Sequence, residues 1–299
     1  MHLRSLLLSA SLLCVASLAG AYPNAHWEDG KAELSGYTLT QPRYGQLRTG
    51  TAVHIFVKED FSEKAKVKAD YVRSAKDQVP IIKLNFVKKF PTGIYDYNLM
   101  TSVFAPFGSR QGLRAGMPIK VSYAHQEWCG SLYDELKTES SGIQLDRHTY
   151  FDRDELKMKT LPHQKNGIMV DELPFLVRQF PVPYLQSGES KEVRFLPSYE
   201  RARLLHTPHT WTNGSFSRSK TASTLKVPAG QYTVETWTAK LGGNEIYRYY
   251  VEQAFPHRII AWDGPQGERA ELKGSTRLPY WQLNDNGGEK YLRELGLKP

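Results

Sequence analysis

The chain has 299 residues, 40% hydrophobic and 12% aromatic, enough apolar mass for one large domain or two modest ones. Thirty-nine lysines and arginines against 31 aspartates and glutamates make it mildly basic, but arginines and aromatic residues do not interleave as a nucleic-acid platform requires, so nucleic acid is excluded as a partner. Past the opening segment no apolar run reaches spanning length, and Cys14 falls in that segment, so neither a membrane-spanning chain nor a disulfide through Cys129 is expected.

The opening MHLRSLLLSASLLCVASLAGA sets one arginine ahead of a short apolar run that ends in small residues at Ala19 and Ala21. That pattern reads as a secretory signal, residues 1–21, with delivery to the periplasm or the exterior. Arg4 leaves with it, so the mature balance is 38 basic against 31 acidic side chains. Leu13 precedes Cys14 where lipid attachment needs a small residue, so a lipid anchor is not expected.

Ala32 to Leu39, Thr51 to Lys58, Lys64 to Tyr71 and Val79 to Phe90 read as strands bounded by Gly, Pro, Asp and Ser clusters. Lys64, Lys66 and Lys68 alternate with Ala65, Val67 and Ala69, which predicts three ammonium groups on one solvated strand face, protecting an edge. Tyr95, Tyr97, Leu99, Thr101 and Val103 alternate with Asp96, Asn98 and Ser102, the period of two that marks a strand buried on one face. Ile119, Val121 and Tyr123 alternate with Lys120, Ser122 and Ala124 in the same way, and the glycine-bearing link between Pro106 and Pro118 folds the second strand back on the first. Leu132 to Thr138 and Ile143 to Phe151 continue the series.

Val170 to Phe180 breaks the pattern. Leu173, Leu176, Val177 and Phe180 fall at helical spacing, with Asp171 as the cap and Pro174 in the first turn, so one short helix is placed here, packed on a sheet. Pro181 to Gly188 divides an N-terminal half, 22–180, from a C-terminal half, 181–299, unless the two form one continuous domain. In the second half, Thr221 to Val227, Gln231 to Ala239, Glu245 to Glu252, Arg258 to Asp263 and Glu268 to Lys273 are separated by turn residues at regular spacing, an antiparallel meander. A last helix, Glu289 to Leu295, is expected to bury Tyr291, Leu292 and Leu295 and to stop at Gly296. The predicted fold is mainly β: a large, strongly curved antiparallel sheet or open half-barrel with two short helices.

The chemistry-bearing residues form loose groups. His125, Glu127 and Cys129 share a strand face, but neighbours there stand about 7 Å apart, too far for a thiol and its base, so Cys129 reads first as a core thiol and only weakly as a nucleophile. Asp96 and Glu127 on adjoining strands are a weak candidate carboxylate pair for hydrolysis. His206 and His209 are a weak metal pair, since zinc ligands come as two close pairs or as a pair on a helix. There is no phosphate-cradling glycine loop, G-x-S-x-G or helical H-E-x-x-H, and no cofactor is expected.

The runs HWEDGKAELSGY, PRYGQLRTGTAVHIFV, FPTGIYDYNLMTSVFAP and QEWCG resemble a family of secreted bacterial proteins of uncharacterised function, some of which carry the name septum formation inhibitor. That name implies a cytosolic nucleotide pyrophosphatase; an exported chain without the Ser- and Arg-rich opening of that enzyme takes no catalytic residue from it. The C-terminal hairpins resemble envelope proteins built on one curved antiparallel sheet, a resemblance that implies a cradle for an apolar ligand. The resulting expectation is a non-enzymatic exported envelope protein binding a lipid, glycan or protein partner on a concave face lined by Tyr95, Tyr97, Tyr123, Trp128, Trp237 and Tyr249. The alternatives are a hydrolase using Cys129 or the Asp96 and Glu127 pair, and a structural envelope component with no cavity.

Overall fold

A computed structural model describes residues 24–71, 74–151, 158–242 and 245–298; the predicted signal segment and part of the turn at 242–244 lie outside them. Among the described residues 17 strands belong to one sheet. The first meander comprises β1 (Ala32–Arg43), β2 (Gln46–Ser62), β3 (Val67–Lys68), β4 (Gln78–Thr92), β5 (Tyr95–Pro106), β6 (Lys120–Glu127), β7 (Gly130–Glu139), β8 (Gly142–Thr149) and β9 (Lys159–Leu161). After β10 (Gly167–Met169) come a 3-10 turn, Val170–Glu172, the helix α1 (Leu173–Val177), β11 (Ser190–Leu196) and the helix α2 (Tyr199–Leu205). The second meander is β12 (Thr212–Arg218), β13 (Ser223–Val227), β14 (Gly230–Leu241), β15 (Glu245–Glu252), β16 (Ile259–Asp263) and β17 (Arg269–Leu278).

Hydrogen-bonded neighbours run antiparallel except for β10 beside β11. β1 pairs with β2 on one side and β17 on the other, which makes the two meanders one continuous, open sheet. It curls until Trp211 Nε1 donates to the Pro162 carbonyl, 3.0 Å away, in the link between β9 and β10. The period of two decides which face turns inward: in β5, Tyr97, Leu99, Thr101 and Val103 are buried while Asn98 and Met100 are exposed. No helix among the described residues is long and apolar enough to cross a membrane.

The hollow of the curl is filled by the segment carrying α1 and α2. Phe175 meets Phe56 at 5.5 Å between ring centres, and Tyr199 Oη donates to the Glu135 carbonyl of β7 at 2.9 Å. Arg178, just past α1, pairs with Glu33 of β1 at 2.7 Å and lies over the Phe56 ring. Burial alone would raise the Glu33 carboxyl; Arg178, helped by His26, overrules it and brings it down to about 2.

The local structure differs from the sequence-based expectation in four places. Lys64 to Tyr71 keeps only the two-residue strand β3, because Lys64 to Lys66 form a turn in which Asp77 Oδ1 and Ser62 Oγ accept from the backbone N–H groups of Lys64 and Ala65 at 2.7 and 3.0 Å. Lys66 is buried against Glu139 and Lys68 pairs with Asp70, so the three ammonium groups share no strand face. Asp171 does not cap a helix but sits inside the 3-10 turn. The C-terminal stretch Gly288–Leu295 is a 3-10 coil that buries Leu295 and only half-buries Tyr291 and Leu292; it lies so close over Gly36 and Gly274 that any side chain there would run into its backbone.

Candidate functional site

Between the filling segment and the sheet a cavity of about 90 Å³ remains. His54 on β2, Phe86 and Lys88 on β4, Tyr247 and Tyr249 on β15 and Trp262 on β16 line it from the sheet, while Asp171, Glu200 and Glu268 come from the 3-10 turn, α2 and the turn into β17. Strand register brings these together: His54 lies opposite Phe86 in the β2–β4 ladder, and Tyr249 opposite Trp262 in the β15–β16 ladder. α2 is set in place by Ser198, whose hydroxyl accepts from the Arg201 N–H at 3.1 Å.

Lys88 is the hub. Its ammonium donates to Glu200 and Glu268, each at 2.8 Å, and to the Gln41 side chain at 3.3 Å. Glu268 accepts a further bond from Trp262 Nε1 at 2.8 Å. Burial by itself would push the Lys88 ammonium down, and the two carboxylates overrule it and raise it. Glu200 is raised, by burial first and by repulsion from Glu268, against the pull of Lys88. Asp171, walled in by protein but open to the cavity, is lifted by burial to about 7, although the Tyr199 N–H donates to it.

His54 is 1% exposed and stacks on Trp262 at 5.1 Å between ring centres. Burial, with Arg178 and Lys88 adding to it, brings its imidazole down to about 3, so the ring is neutral at physiological pH. Neither ring nitrogen has a hydrogen-bond partner in the protein. A neutral imidazole carries one donor and one acceptor, and leaving either buried and unmet costs about 1–3 kcal/mol. The site itself offers three carboxyl groups and one ammonium inside a wall of rings, with His54 sealed behind its surface. Pro42, Leu204, Leu205 and Gln266 also line a neighbouring depression with Arg43, Tyr44 and Leu47.

Of the six rings expected on an open concave face, Tyr249 lines the cavity. Tyr97, Tyr123 and Trp237 are fully buried; Trp237 packs against Phe216 at 5.6 Å and under the Arg218 guanidinium. Tyr95 and Trp128 stack on each other at 6.0 Å on the rim formed by the β1–β2, β4–β5 and β6–β7 turns, and Trp128 is 74% exposed. The solvent-open groove anticipated from the sequence is replaced by a filled hollow, because α1 and α2 cover the inward face.

Cys129 is exposed in the β6–β7 turn, and its thiol is raised by the adjoining Glu127 carboxylate, the opposite of what activates a nucleophile. Glu127 accepts from the Cys129 N–H at 2.5 Å. Asp96 lies 3.4 Å from the Lys89 ammonium, and because Asn98 opposes Gln126, Asp96 and Glu127 point to opposite faces of the sheet. His206 is exposed at the end of α2, whereas His209 packs on Tyr199 at 4.5 Å. No three metal-capable side chains come together among the described residues. The class defined by this geometry is a curled, mainly antiparallel sheet around a small cavity lined by rings and a few ionisable groups. No protein-family model, curated protein or solved structure matches the chain.

Proposed function

We propose that the protein is an exported, non-enzymatic binding module of the cell envelope that holds a small ligand, or a small projecting group of a larger one, inside its curled sheet. The carrying observation is the space of about 90 Å³ left between the filling segment and the sheet, where four aromatic rings and three carboxyl groups line one wall. A space of this size suits a compact molecule better than a whole lipid or glycan, whose other parts would have to lie in the depression beside Tyr44 and Leu47.

Native mass spectrometry of the protein purified from its own cells tests this. A discrete adduct that is lost on Glu268→Gln, with the fold kept by circular dichroism, is the expected result. A spectrum without adduct, from protein that also shows no melting shift with any member of a small-metabolite panel, would leave the structural-component alternative in its place.

A further inference from the structure

The cavity wall carries more carboxyl groups than cations. Asp171, Glu200 and Glu268 face it against the ammonium of Lys88; Arg201, the other cation there, is taken up by Glu245 and Thr207. The chain as a whole carries net charge +8, so this local excess of carboxyl groups runs against its own balance. Phe86, Tyr247, Tyr249 and Trp262 add four rings to the same wall, and the Lys88 ammonium already lies 5.0 Å from the centre of the Phe86 ring. Aromatic rings backed by carboxylates are the surroundings that favour an organic cation, since the ring faces and the carboxylates attract positive charge together. An anion would meet three carboxyl groups, and a neutral apolar molecule would leave those groups without a partner. A metal ion needs its donors gathered about one point; here Glu200 and Glu268 are spread around Lys88, and no metal-capable set of three exists among the described residues.

Building on the binding reading above, we propose that the cavity selects a small organic cation, a primary or methylated amine of roughly five non-hydrogen atoms, judged against the larger apolar cavity that accommodates benzene. Its positive centre sits among Asp171, Glu268 and the Trp262 ring, and an N–H of a primary or partly methylated amine donates to a carboxylate oxygen there. Lys88 holds Glu200 and Glu268 in position, and the carboxyl charge it leaves uncompensated attracts the ligand.

Isothermal titration at constant ionic strength and pH about 8, with Asp171 ionised, compares tetramethylammonium with tert-butanol, which has the same tetrahedral shape and heavy-atom number but no charge. The cation is expected to bind at least tenfold more tightly. Asp171→Asn and, separately, Glu268→Gln are expected to weaken the cation at least fivefold and to leave tert-butanol unchanged. Should either variant unfold, the other carries the comparison, and methylammonium repeats it with a smaller cation that also donates hydrogen bonds. Equal affinity for tetramethylammonium and tert-butanol overturns the cation while leaving an enclosed ligand in place. No binding of either probe or of methylammonium also overturns it, and with an adduct-free native mass spectrum removes the binding reading as well.

Discussion

The cavity and the aromatic rim beside it use the same residue types to opposite effect. In the cavity, Lys88 is 3% exposed and bonded to two carboxylates, and its ammonium lies 5.0 Å from the centre of the Phe86 ring. On the rim, Arg43 is bonded to the hydroxyls of Tyr44 and Tyr97 and to the Leu204 carbonyl, while Tyr44 and Trp128 are more than half exposed. Water makes the difference. A charge at the rim is solvated whether or not its partner is present, whereas each charge in the cavity depends on its neighbours.

The largest expected effect is therefore in the interior. Lys88→Met removes the cation between Glu200 and Glu268 and leaves both carboxylates uncompensated, which should cost about 3–5 kcal/mol in urea unfolding at neutral pH. The loss should shrink as pH falls and the carboxyls take up protons. A cost under about 1 kcal/mol would mean that water already reaches the cluster and that interior and rim are alike.

Asp171 gives the next effect, read from pH. Its carboxyl lies near 7 in the folded chain against 3.8 for the free side chain, lifted by burial and by Glu200 and Glu172 against the Tyr199 N–H and Lys88. A raised carboxyl binds protons better folded than unfolded, so its contribution favours folding below about pH 4 and is lost as pH rises through about 7. Glu33 works the other way: lowered to about 2 chiefly by Arg178, it stabilises above its ordinary 4.5 and loses that contribution as pH falls toward 2. The neutral His54 adds stability as pH rises toward 6.5, so the Asp171 contribution is read as a difference: in chemical denaturation from pH 4 to 8 the parent should lose stability relative to Asp171→Asn. An unchanged slope in the variant would place the titrating group elsewhere.

Much of the sheet is legible in the sequence, since alternation in Tyr95 to Val103 and Ile119 to Ala124 survives as β5 and β6 with the expected faces. The filling segment is only half legible. Leu173 to Val177 shows its helical spacing, but α2 is seven residues long, and its start signal, Ser198 after Pro197, is easily taken for a turn. The cavity is nearly invisible, because His54, Lys88, Asp171, Glu200, Trp262 and Glu268 meet only through register and curling. One clue was available. Lys88 occupies the inward phase of Leu84, Phe86 and Phe90, and a charge at a core position of a strand calls for a partner from elsewhere in the fold.

At the rim the expected effects are small, and two substitutions grade them. Tyr97→Phe keeps the buried ring, 0% exposed and stacked on Phe90, but removes the hydroxyl that meets Tyr44 Oη at 2.7 Å and Arg43, a loss of about 1 kcal/mol. Trp128→Ala removes a ring that touches Tyr95 on one side and water on the other, and should change stability by less than about 0.5 kcal/mol. Cys129, next to it, should react with iodoacetamide without denaturation, but more slowly than a free thiol at the same pH, because Glu127 disfavours the thiolate. Glu127→Gln should speed the reaction and leave urea unfolding nearly unchanged. If that substitution instead destabilises the protein as Lys88→Met is expected to, the rim carboxylate is as dependent on its neighbours as the cavity's, and solvent no longer separates the two regions.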